Sequence, residues 1–109
     1  MAMITFDDFL KVELRTARVL EAREHENADR LLVLKVDLGE MGERQIVAGI
    51  RGHYAPEDLV GRTVVVVANL EPAKIRGEES QGMMLAVVAG DTVRVLSPDG
   101  AVDPGLKVS

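Results

Sequence analysis

Apolar and polar positions in this chain fall into short runs whose spacing changes from helical to alternating within the first dozen residues. In TFDDFLK, Phe6, Phe9 and Leu10 recur at helical spacing behind Thr5, and Asp8 stands where a capping box usually has glutamate. The pattern predicts a short helix over residues 5–11 whose apolar side packs against something. Residues 12–24 set Val12, Leu14, Val19 and Leu20 among charges, and the alternation changes phase near Ala17, as in a long strand carrying a bulge. HENADR (25–30) reads as a polar turn, LLVLKVDLG (31–39) as a strand ended by glycine, EMGE as a tight connection and RQIVAG (44–49) as a third strand.

GHYAPEDLVG reads as a loop with one helical turn, Pro56 suiting its first position. RTVVVVAN (62–69) is the strongest strand pattern, its four consecutive valines implying burial on both faces. GMMLAVV (82–88) predicts a fifth strand, AGDT a turn into VRVL, and SPDGAVDPGLKVS a tail with two Pro/Gly turns. Adjacent Met83 and Met84 must face opposite ways in a strand, so one points to the core and one outward. Five main strands at short spacing, a helical turn between the third and fourth, and no linker predict one all-β domain over residues 1–109. The architecture expected is a five-stranded Greek-key barrel of the OB type, with a short N-terminal helix and a C-terminal extension.

Composition narrows the function. A hydrophobic content of 47% fits a folded domain, and the absence of cysteine excludes disulfides and thiolate zinc sites. The N-terminus lacks the basic and apolar regions of a signal peptide, and no apolar run nears the roughly 18 residues that span a bilayer. A soluble, cytoplasmic protein is expected. The formal net charge of −5 argues against a general polyanion binder. Phe6, Phe9 and Tyr54 are the only aromatic residues, too few for a base-stacking platform. Any nucleic-acid role must use a few local cations and backbone groups on a partner that already has a shape.

The passage NLEPAKIRGEESQGMMLAV (69–87) joins the fourth and fifth predicted strands, where OB folds commonly present a binding loop. Pro72 restricts it, Gly77 and Gly82 allow close backbone approach, Lys74 and Arg76 supply charge, and Ser80 adds a hydroxyl. An outward Met83 would offer a soft contact to a sugar or base. The plain alternatives are a solvated loop and a core methionine. Enzyme signals are weak: His25 and His53 lack metal-ligand spacing, Ser80 lacks a nucleophile elbow, and GIRG lacks the context of a dinucleotide site. No cofactor and no metal are expected.

The segments FDDFLKVELRTARVLEAREHENADRLLVLKVDLG, RQIVAGI, YAPEDLVGRTVVVVANLEP, KIRG and SQGMMLA, in unbroken order, resemble the tRNA-binding domain family. That family takes in free-standing tRNA-binding proteins, the C-terminal domains of methionyl-tRNA synthetases, the EMAP II cytokine domain and the CsaA chaperone. The resemblance implies an OB fold, a homodimer, and recognition of tRNA by shape with little sequence choice. It further implies binding residues at Asn69, Lys74, Arg76, Ser80 and Met83, with Arg15 and Lys35 as weaker additions. A methionyl-tRNA synthetase catalytic chain is an implied partner, and a CsaA-like peptide-binding or dimerisation module is the alternative. Two departures stand out: Ala17 replaces a glycine common in the family, and Glu71, Glu78 and Glu79 outnumber the two cations of the 69–87 segment.

Overall fold

The computed structural model describes residues 1–109. Helix α1 (Phe6–Leu10) starts at the predicted capping box. Asp8 N–H donates to Thr5 Oγ1 at 3.0 Å, and Thr5 N–H donates to the Asp8 carboxylate at 3.4 Å. Its apolar side was expected to pack, yet Phe6 is 72% exposed and no residue of the helix is buried within the chain.

Strand β1 (Leu14–Glu24) organises the barrel. Its first half pairs with β4 (Thr63–Val67) and its second half with β2 (Leu32–Asp37), both antiparallel. The register shifts between Val19 and Glu21, so the bulge falls at Leu20, three residues beyond the predicted place at Ala17. The reason is the change of partner: Arg18 still pairs with β4, and beyond it Val19 exchanges backbone hydrogen bonds with Gly61 and Arg62. The extra residue lets β1 bend there and turn Ala17 and Val19 inward, while Leu20 reaches the surface.

β2 pairs with β3 (Glu43–Ala48), and β4 with the short β7 (Met83–Met84), giving the sheet order β3-β2-β1-β4-β7. Three consecutive strands followed by one that returns beside the first make a Greek key. The result is a nearly closed five-stranded antiparallel barrel of the OB type. Leu32, Leu34, Val36, Ile46, Val64 and Val66 fill it, and Leu59 from helix α2 (Pro56–Leu59) joins them. Each such side chain contributes about 1.5–3 kcal/mol on burial.

Val65 and Val67 point away from this core yet are also buried, as four valines in a row predicted. Val65 and Thr16 share a depression with Leu96, Val102 and Leu106 of the C-terminal extension. That extension lies along the first half of β1, the stretch β2 does not reach. Thr16 N–H donates to Leu106 O at 2.9 Å, Gly105 N–H to Thr16 O at 2.7 Å, and Val108 N–H to Leu14 O at 2.9 Å. Gly105 is required where the extension crosses the β2–β3 turn: its φ is +82°, and a Cβ there would lie 2.3 Å from Leu38 O.

The predicted strand 82–88 is two strands. β7 ends at Met84, and β8 (Ala86–Ala89) forms a separate hairpin with β9 (Thr92–Val95). Leu85 makes the break, its N–H bonded to Val65 O and its carbonyl to Leu96 N–H.

Candidate nucleic-acid interface

The segment expected as an irregular loop between strands four and five contains a hairpin, β5 (Ala73–Ile75) and β6 (Glu78–Ser80). Its two-residue turn is Arg76–Gly77, at φ +55° and +93°. Two left-handed residues are what a type I′ turn requires, and the twist of such a turn matches that of the flanking strands. Glycine takes this conformation freely, whereas Arg76 does so at a cost of roughly 1–2 kcal/mol. The turn sets the guanidinium at the tip of the hairpin, exposed.

Side chains rather than a continuous backbone ladder join this hairpin to β3. Gln81 N–H donates to Gln45 O at 2.7 Å, and Gln45 N–H to Gln81 Oε1 at 2.9 Å. Gln45 Nε2 reaches Glu79 O at 2.8 Å and the Glu78 carboxylate at 3.3 Å. Ser80 Oγ accepts from Val47 N–H at 3.0 Å and donates to Gly82 O at 2.9 Å. Gly82 then passes so close to β4 that a Cβ would sit 2.8 Å from Val67 O. The polar residues of SQG therefore close the barrel where no strand pair does.

The residues singled out by resemblance divide into two groups. Lys74, Arg76 and Met83 are exposed, and neither cation has a carboxylate partner; Met83, 47% exposed, faces outward while Met84 is buried, as predicted. Lys35 lies beside Gln45 in the β2–β3 register and is exposed, within 3.6 Å of Glu43. The others are occupied internally. Ser80 is buried with both hydrogen-bonding roles used. Asn69 accepts from Glu13 N–H at 2.8 Å and donates to Lys11 O at 2.6 Å, latching the end of β4 to the start of β1. Arg15 is paired with Glu13 and donates to Gly105 O at 3.2 Å, beside the C-terminal extension. Arg15 precedes Arg23, which touches the hairpin, by eight positions on β1, roughly 25 Å of strand.

The charge balance also changes. Arg23 Nη2 lies 2.7 Å from the Glu78 carboxylate. This hydrogen bond, partly opposed by desolvation and helped by the Arg23 charge and by Gln45, lowers the Glu78 pKa below the usual carboxylate range. One of the three carboxylates counted against the segment is thus offset by a cation outside it. Glu79 stands opposite Lys74 in the hairpin register and is exposed.

Behind the hairpin, His25, which lacks metal-ligand spacing in the sequence, takes a structural place. His25 is 2% exposed, with Nδ1 accepting from Asn27 N–H at 2.9 Å. Nε2 therefore carries the proton and donates to Ile75 O at 3.2 Å. Arg76 Nη2 donates back to Asn27 O at 3.2 Å, so the β1–β2 loop and the hairpin are tied twice. Beyond Met83, an apolar groove of about 370 Å³ runs between β3 and β7–β8, lined by Val47, Ile50, Met84, Val88 and Val93.

Comparison with known proteins agrees with this fold. The family model described as "Putative tRNA binding domain" matches residues 14–107. A methionine–tRNA ligase of Thermotoga maritima is 60% identical over 106 residues, covering 97% of this chain and 17% of that protein. The crystal structure of a MetRS-related protein from Pyrococcus horikoshii superposes with a TM-score of 0.92 at 34% identity, covering 100% of both chains. Chaperone CsaA from Bacillus anthracis gives 0.91 at 36% identity, covering 99% of this chain and 100% of its own. The chain spans about a sixth of the length of the curated synthetase relative it matches. With nearly the whole barrel matched, the chain belongs to the tRNA-binding domain family.

Proposed function

We propose that this domain binds tRNA by its shape, with little choice of sequence, either as a free-standing protein or as the C-terminal module of a methionyl-tRNA synthetase. The observation that carries this reading is the β5–β6 hairpin, which holds Arg76 at its two-residue turn and Lys74 on the adjoining strand, both exposed and without a salt-bridge partner. Cations of this kind engage phosphates, which position a partner without reading its bases. Three aromatic residues, two of them on the N-terminal helix, offer no stacking surface for single-stranded RNA. The domain itself is proposed to be non-catalytic, and as a synthetase module it would leave the chemistry to the catalytic part of that enzyme.

Binding as a homodimer completes the proposal. Phe6 and Leu10 of α1 and Leu106 of the extension are exposed apolar residues at the two ends of the chain, and a second copy would cover them. The domain is proposed to act in the cytoplasm. A CsaA-like, peptide-binding reading draws on a different observation, the apolar groove beside Met83.

One experiment separates the two. Total tRNA, single-stranded RNA and an unfolded peptide are titrated against the protein across a salt series. The tRNA reading expects tRNA alone to bind well and to weaken steeply with salt, since each phosphate neutralised releases counterions. Preferential, salt-insensitive peptide binding would reject it in favour of the groove.

A further inference from the structure

Arg30 was not among the residues that the resemblance implied, and the fold brings it next to one that was. Arg30 and Arg76 both line one shallow surface depression of about 260 Å³, with Ala28, Asp29 and Leu31 completing it. Both arginines are exposed and neither has a carboxylate partner. We propose that Arg30 and Arg76 form a two-guanidinium cleft for a single phosphate group, and that His25 is the positioning residue that fixes its width. This inference rests on the tRNA reading for the source of the phosphate, an RNA phosphodiester. The cleft itself is defined by its chemistry, a tetrahedral oxyanion between two planar donor forks.

The case for a built cleft lies in the bonds behind it. The two arginines come from segments 46 positions apart, which ordinary loops would hold loosely. Here the β1–β2 loop is riveted from below. Arg51 Nη1 donates to Ala28 O at 3.2 Å and to His25 O at 3.4 Å, while its Nε pairs with Glu24 at 3.0 Å. His25 then joins that loop to the hairpin through Ile75 O, the carbonyl immediately before Arg76. Arg76 spends one N–H on Asn27 O and keeps its remaining donors for a ligand. The backbone that carries both arginines, and the Arg76 side chain, are therefore held before any anion arrives, which lowers the ordering cost of binding to that of the Arg30 side chain. Asp29 is the opposing feature: its carboxylate sits on the same rim and repels the group the arginines attract.

Substitutions at His25 separate its two bonds. His25→Gln keeps an N–H within reach of Ile75 O and gives up the acceptor for Asn27. His25→Asn keeps that acceptor and gives up the link to the hairpin. Affinity for tRNA is measured by fluorescence anisotropy over a salt series, with thermal melts on every variant. Arg30→Ala is expected to weaken binding roughly tenfold at low salt and to lower the salt slope by about one. Arg30→Ala with Arg76→Ala should lose less than the product of the two single losses, because both act on one phosphate. Asp29→Asn should tighten binding. His25→Asn should weaken it in the wild-type background but not on top of Arg76→Ala, and His25→Gln should restore it. A His25 that served only general stability would lower binding equally in both backgrounds and for both replacements, and that result overturns the positioning role.

Arg30→Ala leaving affinity and slope unchanged while Arg76→Ala weakens binding would overturn the cleft and leave the tRNA reading intact. A second arm titrates inorganic phosphate while observing the arginine side-chain NMR signals. If tRNA fails to bind but phosphate shifts both Arg30 and Arg76, the tRNA reading falls and the anion cleft stands. If neither ligand has any effect, both are rejected.

Discussion

Ser80 tests whether a polar residue that the family resemblance implies as a ligand contact touches the ligand or holds the barrel. The perturbation is Ser80→Ala, which removes one oxygen and adds no bulk. In the wild-type protein that oxygen accepts from Val47 N–H across the one seam of the barrel that lacks a strand pair, and donates to Gly82 O within its own segment. Val47 is buried, so its N–H gains no water when the hydroxyl goes. A buried donor left unsatisfied costs about 1–3 kcal/mol, and about 2 kcal/mol is a fair centre. For a domain of this size each kcal/mol moves the melting temperature by about 4–8 °C, so a fall of about 8–16 °C is expected. With a urea slope of about 1–2 kcal/mol/M, the unfolding midpoint should drop by about 1–2 M. The assay pairs urea unfolding with tRNA anisotropy at a temperature well below the variant's melt. A closure role leaves affinity for tRNA within about twofold, since loss of a bond that the folded state no longer needs for its shape is a stability effect. An unchanged midpoint together with clearly weaker tRNA binding would refute this reasoning and return Ser80 to the contact surface.

Glu79→Gln removes an exposed carboxylate opposite Lys74 and should tighten tRNA binding at low salt, the gain fading as the Debye length shrinks; equal affinities at every salt would place RNA elsewhere. For Glu78 the folded pKa is lowered, so its contribution to stability is present above the unfolded carboxylate pKa and is lost as pH falls through the folded value. An NMR titration should show Glu78 protonating at lower pH than in Arg23→Ala; coincident curves would remove the pair as the cause. Phe6→Ser should convert a homodimer to monomer in light scattering with little change in monomer fold, because Phe6 is 72% exposed within its own chain. A wild-type monomer at every concentration would end the dimer proposal outright.

The parts legible in the sequence are those where period and burial coincide. The capping box at Thr5, the valines of β4 and the opposed methionines follow from local pattern, since the neighbouring residues alone specify the outcome. The bulge in β1 was placed at Ala17 because the alternation weakens there, whereas its cause is a change of strand partner that lies outside the strand. The run GMMLAVV is apolar throughout and carries no phase, so nothing in it marks Leu85 as the residue where one sheet ends and a hairpin begins. AKIRGEES hides its hairpin differently, with strands of three residues, mostly polar, around an Arg-Gly turn in place of Asn-Gly. Asn69 and Ser80 look like ligand contacts in the sequence because polar residues in loops usually face water. Their partners lie 56 and 33 positions away, which no local signal can report. The places of Arg23, His25 and Arg30 beside the hairpin are hidden from the sequence for the same reason.

The C-terminal extension beside β1 has a kinetic consequence. Thr16 and Leu106 bond to each other across 90 positions of chain, as do Arg15 and Gly105, and Val108 and Leu14 close a still longer loop. Contacts of such separation incur loop-closure entropy before they return any stabilisation, and they form late. Until the extension docks, the first half of β1 presents bare backbone on the side β2 does not cover, a template on which a neighbouring unfolded chain can pair. The order of folding therefore sets a window of vulnerability at one known edge. In pulse-labelled hydrogen exchange during refolding, the amides of Thr16 and Leu106 should gain protection after those of Leu34 and Val66. Simultaneous protection would mean that the extension is in place when the barrel first forms.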